Sequence, residues 1–348
     1  MKPLSVFAGT AVLLYLADVA MLPNHNAHAF TTYLTRSERA DAGPSYTLQT
    51  MDGTPDQKFV DFRALSDSGV AVGRCRAERT EGSPTCWQTT GAGAALDPNS
   101  GIAYDINSAG VIVGRVGANA VAWHDGKEKT LKMPSGTDYS EAFGINGRGE
   151  VSGVFLRSEI SHAFLRSTDA QIHALPNLPG LRNCRAVAIN DHGDIVGGSY
   201  NDDGIGQACV WRGGKVVPLA GLGGAHSDAF QVNAAGDIVG EADVTGGGTH
   251  ACLWRAGKPI DLGALPNDTT SRALGINNHD EIIGTSGFKE AFVWKDGTMY
   301  DLKSLIDPKP AWTSAHATAI NDKGQIAGWG ADDNGRIYGF LLTPSRRG

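Results

Sequence analysis

A turn of the form Asn-x-x-Gly, followed four residues later by a second glycine, recurs along nearly the whole of this chain. One of its clearest copies is Ala188-Ile189-Asn190-Asp191-His192-Gly193-Asp194-Ile195-Val196-Gly197. The turn position falls at Ser66, Asn107, Asn146, Asn190, Asn233, Asn277 and Asn321, so consecutive copies lie 39 to 44 residues apart. A fixed period of that length is the mark of a repeat architecture. Each copy divides into four short stretches with β character: Ala273-Leu274-Gly275-Ile276-Asn277, then Asp237-Ile238-Val239-Gly240, then Ala291-Phe292-Val293-Trp294, then Lys258-Pro259-Ile260-Asp261-Leu262. Four strands in about 40 to 45 residues make a propeller blade.

Turn chemistry explains the recurring residues. The asparagine side chain can accept from the backbone two residues on, and the glycine supplies the positive φ that closes the hairpin. The second glycine, at 73, 114, 153, 197, 240, 284 and 328, sits inside a strand, where glycine marks a bulge or a close backbone approach. Small residues in the first strand, such as Gly144, Ala188, Gly275 and Ala319, suit the crowded position nearest a ring axis. Tryptophans 87, 123, 211, 254 and 294 share one place in the repeat and read as anchors packed between blades rather than as ligand platforms. The first three stretches occur seven times but the leucine-ending fourth only six, and the lone strand pattern Tyr46-Thr47-Leu48-Gln49-Thr50-Met51 precedes the first turn. The expectation is an all-β, seven-bladed propeller of four-stranded blades, its ring closed by the N-terminal strand joining the last blade.

At 348 residues the chain could hold two domains, but the repeat decides for one, over residues 45–343. Residues 1–29 read as an export signal: Lys2, an apolar run from Leu4 to Ala17, and Ala27-His28-Ala29 as a small-x-small cleavage site before Phe30. Asp18 interrupts the apolar run short of the about 20 residues a membrane span needs. Residues 30–44 form a linker and 344–348 a short tail, and no integral membrane segment is expected once the signal is cleaved. The expected location is secreted or periplasmic. Five cysteines in an exported chain allow two disulfides at most. Cys75 and Cys86 flank one hairpin and could face each other, Cys209 and Cys252 stand where parallel copies hold Phe164 and Phe292 and read as core, and Cys184 has no evident mate. The net charge of -7, with no Lys/Arg run, disfavours nucleic acid and anionic membrane as partners.

His162-Ala163-Phe164, the stretch Ala229-Phe230-Gln231-Val232-Asn233-Ala234-Ala235-Gly236-Asp237-Ile238-Val239-Gly240, and His250-Ala251-Cys252-Leu253-Trp254 resemble the HAF repeat, named for its His-Ala-Phe triplet and found in bacterial exported proteins. The resemblance spans about residues 45 to 343. It implies an extracellular, propeller-like protein and brings no catalytic residues with it. Departures occur: Ser66 replaces asparagine in the first copy, Arg166 holds the tryptophan place in the third, and Asp280 replaces glycine in the sixth.

The Asn-x-x-Gly turns and the turns after tryptophan are short and uniform, and share one face. The remaining connections, such as 199–207, 241–249 and 329–337, vary, and would meet on the opposite face, where binding and catalysis usually reside. The mouth of the ring there should be bordered by Asp61, Ile102, Glu141, Arg185, Asp228, Arg272 and His316. Asp61, Glu141, Arg185, Asp228, Arg272 and His316 are therefore the candidate ligand-binding residues, suited to a saccharide, a peptide or a protein partner. The plain alternative is a solvated rim of paired charges. No HExxH, CxxC pair, Walker loop or nucleophile elbow is present, and no cofactor is expected. A metal site would need His162, His226, His250 and His316 to converge, and the acidic loops Asp202-Asp203-Gly204 and Asp332-Asp333-Asn334-Gly335 lack a full calcium ligand series. Three readings stay open: a non-enzymatic binding module or scaffold, a glycan-active hydrolase or lyase with Asp228 and Glu141 as its acids, and a purely structural envelope or matrix protein.

Overall fold

The computed structural model of the chain describes residues 44–51, 59–76, 84–88 and 94–345. The signal segment and most of the linker expected from the sequence lie outside them. Almost everything described is antiparallel β-sheet, with one short 3-10 turn at Leu302–Leu305. The molecule is a β-propeller built of four-stranded antiparallel blades.

Hydrogen bonding gathers the strands into six sheets, five of four strands and one of seven. The larger sheet arises because Ala94–Ile106 runs unbroken through two repeats. Its beginning pairs with Pro84–Gln88 and its end with Ile112–Val116. The N-terminal strand Tyr46–Met51 pairs antiparallel with Ile337–Pro344, residue for residue from Tyr46 opposite Pro344 to Met51 opposite Gly339.

The Asn-x-x-Gly turn works at two levels. Within its own hairpin, Asn190 Oδ1 accepts from the backbone N–H of His192 and of Asp194, both at 3.0 Å. Its amide then reaches sideways, Nδ2 donating to the carbonyl of Asn233 in the next repeat at 3.0 Å. The same lateral bond joins Asn107 to Asn146, Asn146 to Asn190, Asn233 to Asn277, Asn277 to Asn321, and Asn321 to Ser66, at 2.9 to 3.3 Å. All these turn residues are buried. Ser66 breaks the series: its hydroxyl accepts from Val70 N inside its own turn and makes no lateral bond among the described residues.

The core lies between repeats rather than within them. Trp254 packs with Cys252 and Ile238 of its own repeat and with Ala188, Val196, Val210 and Leu219 of the preceding one. Another cluster joins Phe62, Leu65 and Ala71 near the start of the ring to Ala319, Ala327 and Leu341 near its end. Trp123, Trp211 and Trp254 are each about 1% exposed, as expected of anchors. The indoles of Trp211 and Trp254 donate to the carbonyls of Pro176 and Ala220, which belong to the connections entering their repeats. Cys209 and Cys252 are buried free thiols in the core. The side chains of Cys75 and Cys86 lie outside the described residues, but the backbone register puts Gly73, not Cys75, opposite Cys86.

Candidate functional site

A β-bulge in the first strand of every repeat positions the site. The register slips by one residue between Phe62 and Ala64, and equivalently at Ala103/Asp105, Ala142/Gly144, Ala186/Ala188, Ala229/Gln231, Ala273/Gly275 and Ala317/Ala319. The cause is the second glycine of the motif. A methyl group placed on Gly73, Gly114, Gly153, Gly197, Gly240, Gly284 or Gly328 would overlap the carbonyl oxygen of Asp61, Ile102, Glu141, Arg185, Asp228, Arg272 or His316 respectively. Only a residue without Cβ lets the strands approach so closely at the bulge. The glycine therefore fixes the backbone of the candidate site residue itself.

Two rings of side chains follow. The bulged residues Arg63, Tyr104, Phe143, Val187, Phe230, Leu274 and Thr318 all line one central cavity of about 640 Å³. Above them, Asp61, Arg185, Asp228, Arg272 and His316 line the same cavity, together with Asp203, Ile205 and Thr249 from the variable connections. Five of the six residues singled out from the sequence thus converge. Glu141 does not line the cavity. It sits behind the wall, its Oε1 accepting from Tyr104 Oη at 2.9 Å, Tyr139 Oη at 2.7 Å and Arg115 Nε at 2.9 Å. Three donors on one buried oxygen make it a brace for Tyr104, and it does not share the cavity with Asp228.

The residue after each second glycine completes the collar, because it is the direct cross-strand partner of the candidate residue. Arg74 stands opposite Asp61, Glu241 opposite Asp228, Thr285 opposite Arg272 and Trp329 opposite His316. Glu241, Thr285 and Trp329 line the cavity. These residues were missed from the sequence, although the signal was available: the position immediately following an invariant bulge glycine must share a sheet face with the position the glycine crowds.

The charges of the collar are paired, as the plain alternative held; Asp61, Arg74, Arg185, Asp228 and Glu241 are buried, while the Arg272 side chain is 40% exposed. Asp61, 2% exposed, accepts from Arg63 at 2.6 Å and Arg74 at 3.4 Å through Oδ2. Its Oδ1 has no hydrogen-bond partner among the described residues. Arg185 donates to Asp228 Oδ2 and lies over the Tyr200 ring, 5.1 Å from its centroid. Tyr200 Oη donates to Asp228 Oδ1 at 2.7 Å. Arg272 Nε lies 2.5 Å from Glu241 Oε2. Burial pushes the Glu241 carboxyl up to about 7, Asp228 adding to the rise while Arg272 and Arg185 oppose it. Asp105, on the cavity wall, is likewise pushed up to about 7 by burial, against the backbone N–H donors of Ile106 and Ile145. His316 stacks on Trp329 with centroids 3.9 Å apart, and burial drives its imidazole down to about 4. At neutral pH that ring is uncharged.

The four histidines considered for a metal site part ways. His226 and His316 line the cavity, while His162 stacks on Phe155 and His250 faces Asp261. The acidic loops are turns: Asp332 Oδ1 caps the N–H groups of Asn334 and Arg336, and Asn201 Oδ1 does the same for Asp203 and Ile205.

No protein-family model matches the sequence, and no curated protein matches it significantly. The structure is similar to virginiamycin B lyase from Staphylococcus aureus, at a TM-score of 0.56 and 12% identity over 86% of this chain and 100% of that one. It is also similar to the extracellular domain of a protein assigned as a one-component system from B. thetaiotaomicron, at a TM-score of 0.53 and 10% identity. That match covers 88% of this chain and 41% of the other. At such identities the likeness is one of fold.

Proposed function

We propose that this chain is an exported propeller of the HAF-repeat kind, seven-bladed and closed by its N-terminal strand, which binds a saccharide or peptide in its central cavity. The observation that carries the binding reading is the convergence of Asp61, Arg185, Asp228, Arg272 and His316 on one cavity whose wall also carries the aromatic and aliphatic side chains of Tyr104, Phe143, Val187, Phe230 and Leu274. A pocket with a small set of fixed polar groups over an apolar wall is the usual form of a ligand site. Internal pairing of the charges favours a neutral, hydroxyl-rich or peptide-like ligand over a highly charged one. The same pairing, with the chain's net charge of -7, speaks against nucleic acid.

The seven-blade count treats Ala94–Ile106 as two strands, the last of one blade and the first of the next. Three facts support it: the seven bulges, the pairing of Tyr46–Met51 with Ile337–Pro344, and the lateral bond from Asn321 to Ser66. Export rests on the leader from Lys2 to Ala29, and among the described residues no helix is long and apolar enough to cross a membrane. N-terminal sequencing of protein recovered outside the cytoplasm tests the leader, which requires a mature start at Phe30.

A thermal-shift series with oligosaccharides, cell-wall fragments and short peptides tests the binding reading. A ligand of the native state raises the melting temperature in proportion to the logarithm of its concentration. Arg272→Ala, at the cavity wall, should abolish the shift, and a shift that survives in this variant places the ligand elsewhere. A second reading, a glycan hydrolase or lyase at the same cavity, is favoured by one observation: two carboxyl side chains, Asp228 and Glu241, stand directly opposite each other on the cavity wall.

A further inference from the structure

We infer that Asp228 and Glu241 are the catalytic pair of a glycoside-hydrolysing site, Asp228 as the carboxylate that meets the anomeric carbon and Glu241 as the proton donor. The inference rests on the reading of the central cavity as a saccharide site.

Register supplies the geometry. Asp228 and Glu241 are direct cross-strand partners and both line the cavity. Side chains so paired leave the same sheet face with Cβ atoms about 4.5–5.5 Å apart. Two carboxyls projecting side by side from adjacent strands suit the about 5–5.5 Å between the carboxyl groups of a retaining glycosidase better than the about 6.5–9.5 Å of an inverting one.

The two carboxyls differ in their surroundings. Asp228 is saturated with donors: Arg185 on Oδ2, and Tyr200 Oη at 2.7 Å with the backbone N–H of Ala229 at 3.1 Å on Oδ1. Such a set fixes its orientation. Glu241 has Arg272 beside one oxygen and is otherwise desolvated, facing Asp228 and Asp243 as well as Arg185. It keeps its proton up to near neutrality. A carboxyl raised by burial beside a second, hydrogen-bonded one is how a site can supply an acid near neutral pH.

The chemistry balances without a cofactor. The Glu241 proton passes to the glycosidic oxygen, the bond from that oxygen to C1 breaks with its electron pair staying on the departing alcohol, and an Asp228 oxygen bonds C1. Water then attacks C1, gives a proton to the Glu241 carboxylate, and the C1–Asp228 bond breaks with its pair returning to Asp228. One glycoside and one water yield two hydroxyl products, with the anomeric configuration retained.

The test uses the purified protein with a panel of 4-nitrophenyl glycosides and the matching disaccharides, scored for hydrolysis and for thermal shift. Loss of a general acid costs about 10²–10⁴-fold where the leaving group needs a proton. Glu241→Gln should therefore lose that much on the disaccharide and far less on the 4-nitrophenyl glycoside, whose leaving group departs as the anion. Asp228→Asn should lose activity on both, and NMR of the first-formed product should show the retained anomer. Undiminished disaccharide hydrolysis by Glu241→Gln overturns the assignment, as does an inverted product. A disaccharide that raises the melting temperature but is not cleaved overturns the catalytic pair and leaves the binding reading intact. A panel that is neither bound nor cleaved overturns both. Should the variants fail to fold, a carbon-detected NMR titration of the parental protein decides, because a Glu241 midpoint near the ordinary value of about 4.3 is incompatible with a proton donor at neutral pH.

Discussion

The second glycine of the repeat carries more of the site than any charged residue does. In Gly197 the missing Cβ makes room for the carbonyl of Arg185, and that carbonyl belongs to a backbone atom which cannot swing aside as a flexible side chain would. Gly197→Ala should cost at the upper end of the about 1–3 kcal/mol of an overpacked core, or more, because a ladder strand has to move. Gly126→Ala, in a turn with open space around it and a φ of +70° at the edge of the allowed left-handed region, should cost about 1 kcal/mol, the low end of the range for a strained positive φ. Denaturant midpoints of the two variants separate these cases, and equal losses would contradict the bulge account. Glu241 makes a second prediction at the same level. Its carboxyl titrates higher in the native state than in the unfolded chain, so protonation favours folding. The stabilising contribution is full below the ordinary glutamate range and is lost as the pH rises through about 7. Asp105 acts in the same direction and His316 in the opposite one, its neutral imidazole stabilising above the usual histidine range and losing that effect as the pH falls through about 4. The readout is therefore a difference: melting temperature against pH for the parent minus that for Glu241→Gln should slope downward between about pH 4.5 and 7. A flat difference would mean that Glu241 is solvated.

Strands and turns show why some of this was legible beforehand and some was not. The four-strand division, the bulge at the second glycine and the buried tryptophans follow from local chemistry: which residues turn, which tolerate close approach, which fill an interface. Five of the six candidate residues line the cavity because each stands inside a first strand, two positions before the bulged residue, in a register that the second glycine fixes. Glu141 was misplaced because its role depends on Tyr104, Tyr139 and Arg115, two of them in the neighbouring repeat, and no spacing within one repeat encodes that. Glu241 and Trp329 were overlooked for a related reason: a pairing across a bulge is read only when both strands are counted from the glycine. The lateral asparagine bond was equally hidden, since the turn function of asparagine already accounts for its presence. Two predictions belong to single elements. Trp254→Ala removes an indole about 1% exposed that also donates to Ala220, and should cost about 3–5 kcal/mol. Deleting residues 45–51 strips the strand that covers Ile337–Pro344 and takes Tyr46, 3% exposed, out of its cluster. An exposed sheet edge then remains. Size-exclusion chromatography should show association and scanning calorimetry a lower midpoint, whereas a monomer of parental stability would argue that the strand does not close the ring.

Each core cluster belongs to two neighbouring repeats, so no blade can keep its core after its neighbour has left. Ala188, Val196, Val210 and Leu219 share one buried cluster with Ala229, Val232, Ile238 and Trp254 of the next repeat. In an open solenoid such coupling leaves two free ends from which unfolding can begin. Here Phe62, Leu65 and Ala71 meet Ala319, Ala327 and Leu341, and the amide of Asn321 reaches Ser66, so first and last repeats hold each other. The lateral asparagine series is interrupted only where Ser66 would have to reach Asn107, and there the continuous strand Ala94–Ile106 bridges the two repeats instead. A ring with cores only at its seams should unfold in one step. Tryptophan fluorescence, reporting buried seams, and far-UV circular dichroism, reporting strands, should then give superimposable denaturation curves. Ser66→Asn should restore the missing amide donor to the Asn107 carbonyl. One added hydrogen bond is worth about 0.5–1.5 kcal/mol net, so the midpoint should rise while the slope with denaturant stays unchanged. Two separated transitions in the parent, or a lower slope in the variant, would mean that the blades beside Ser66 come apart on their own and that the ring is not a single cooperative unit.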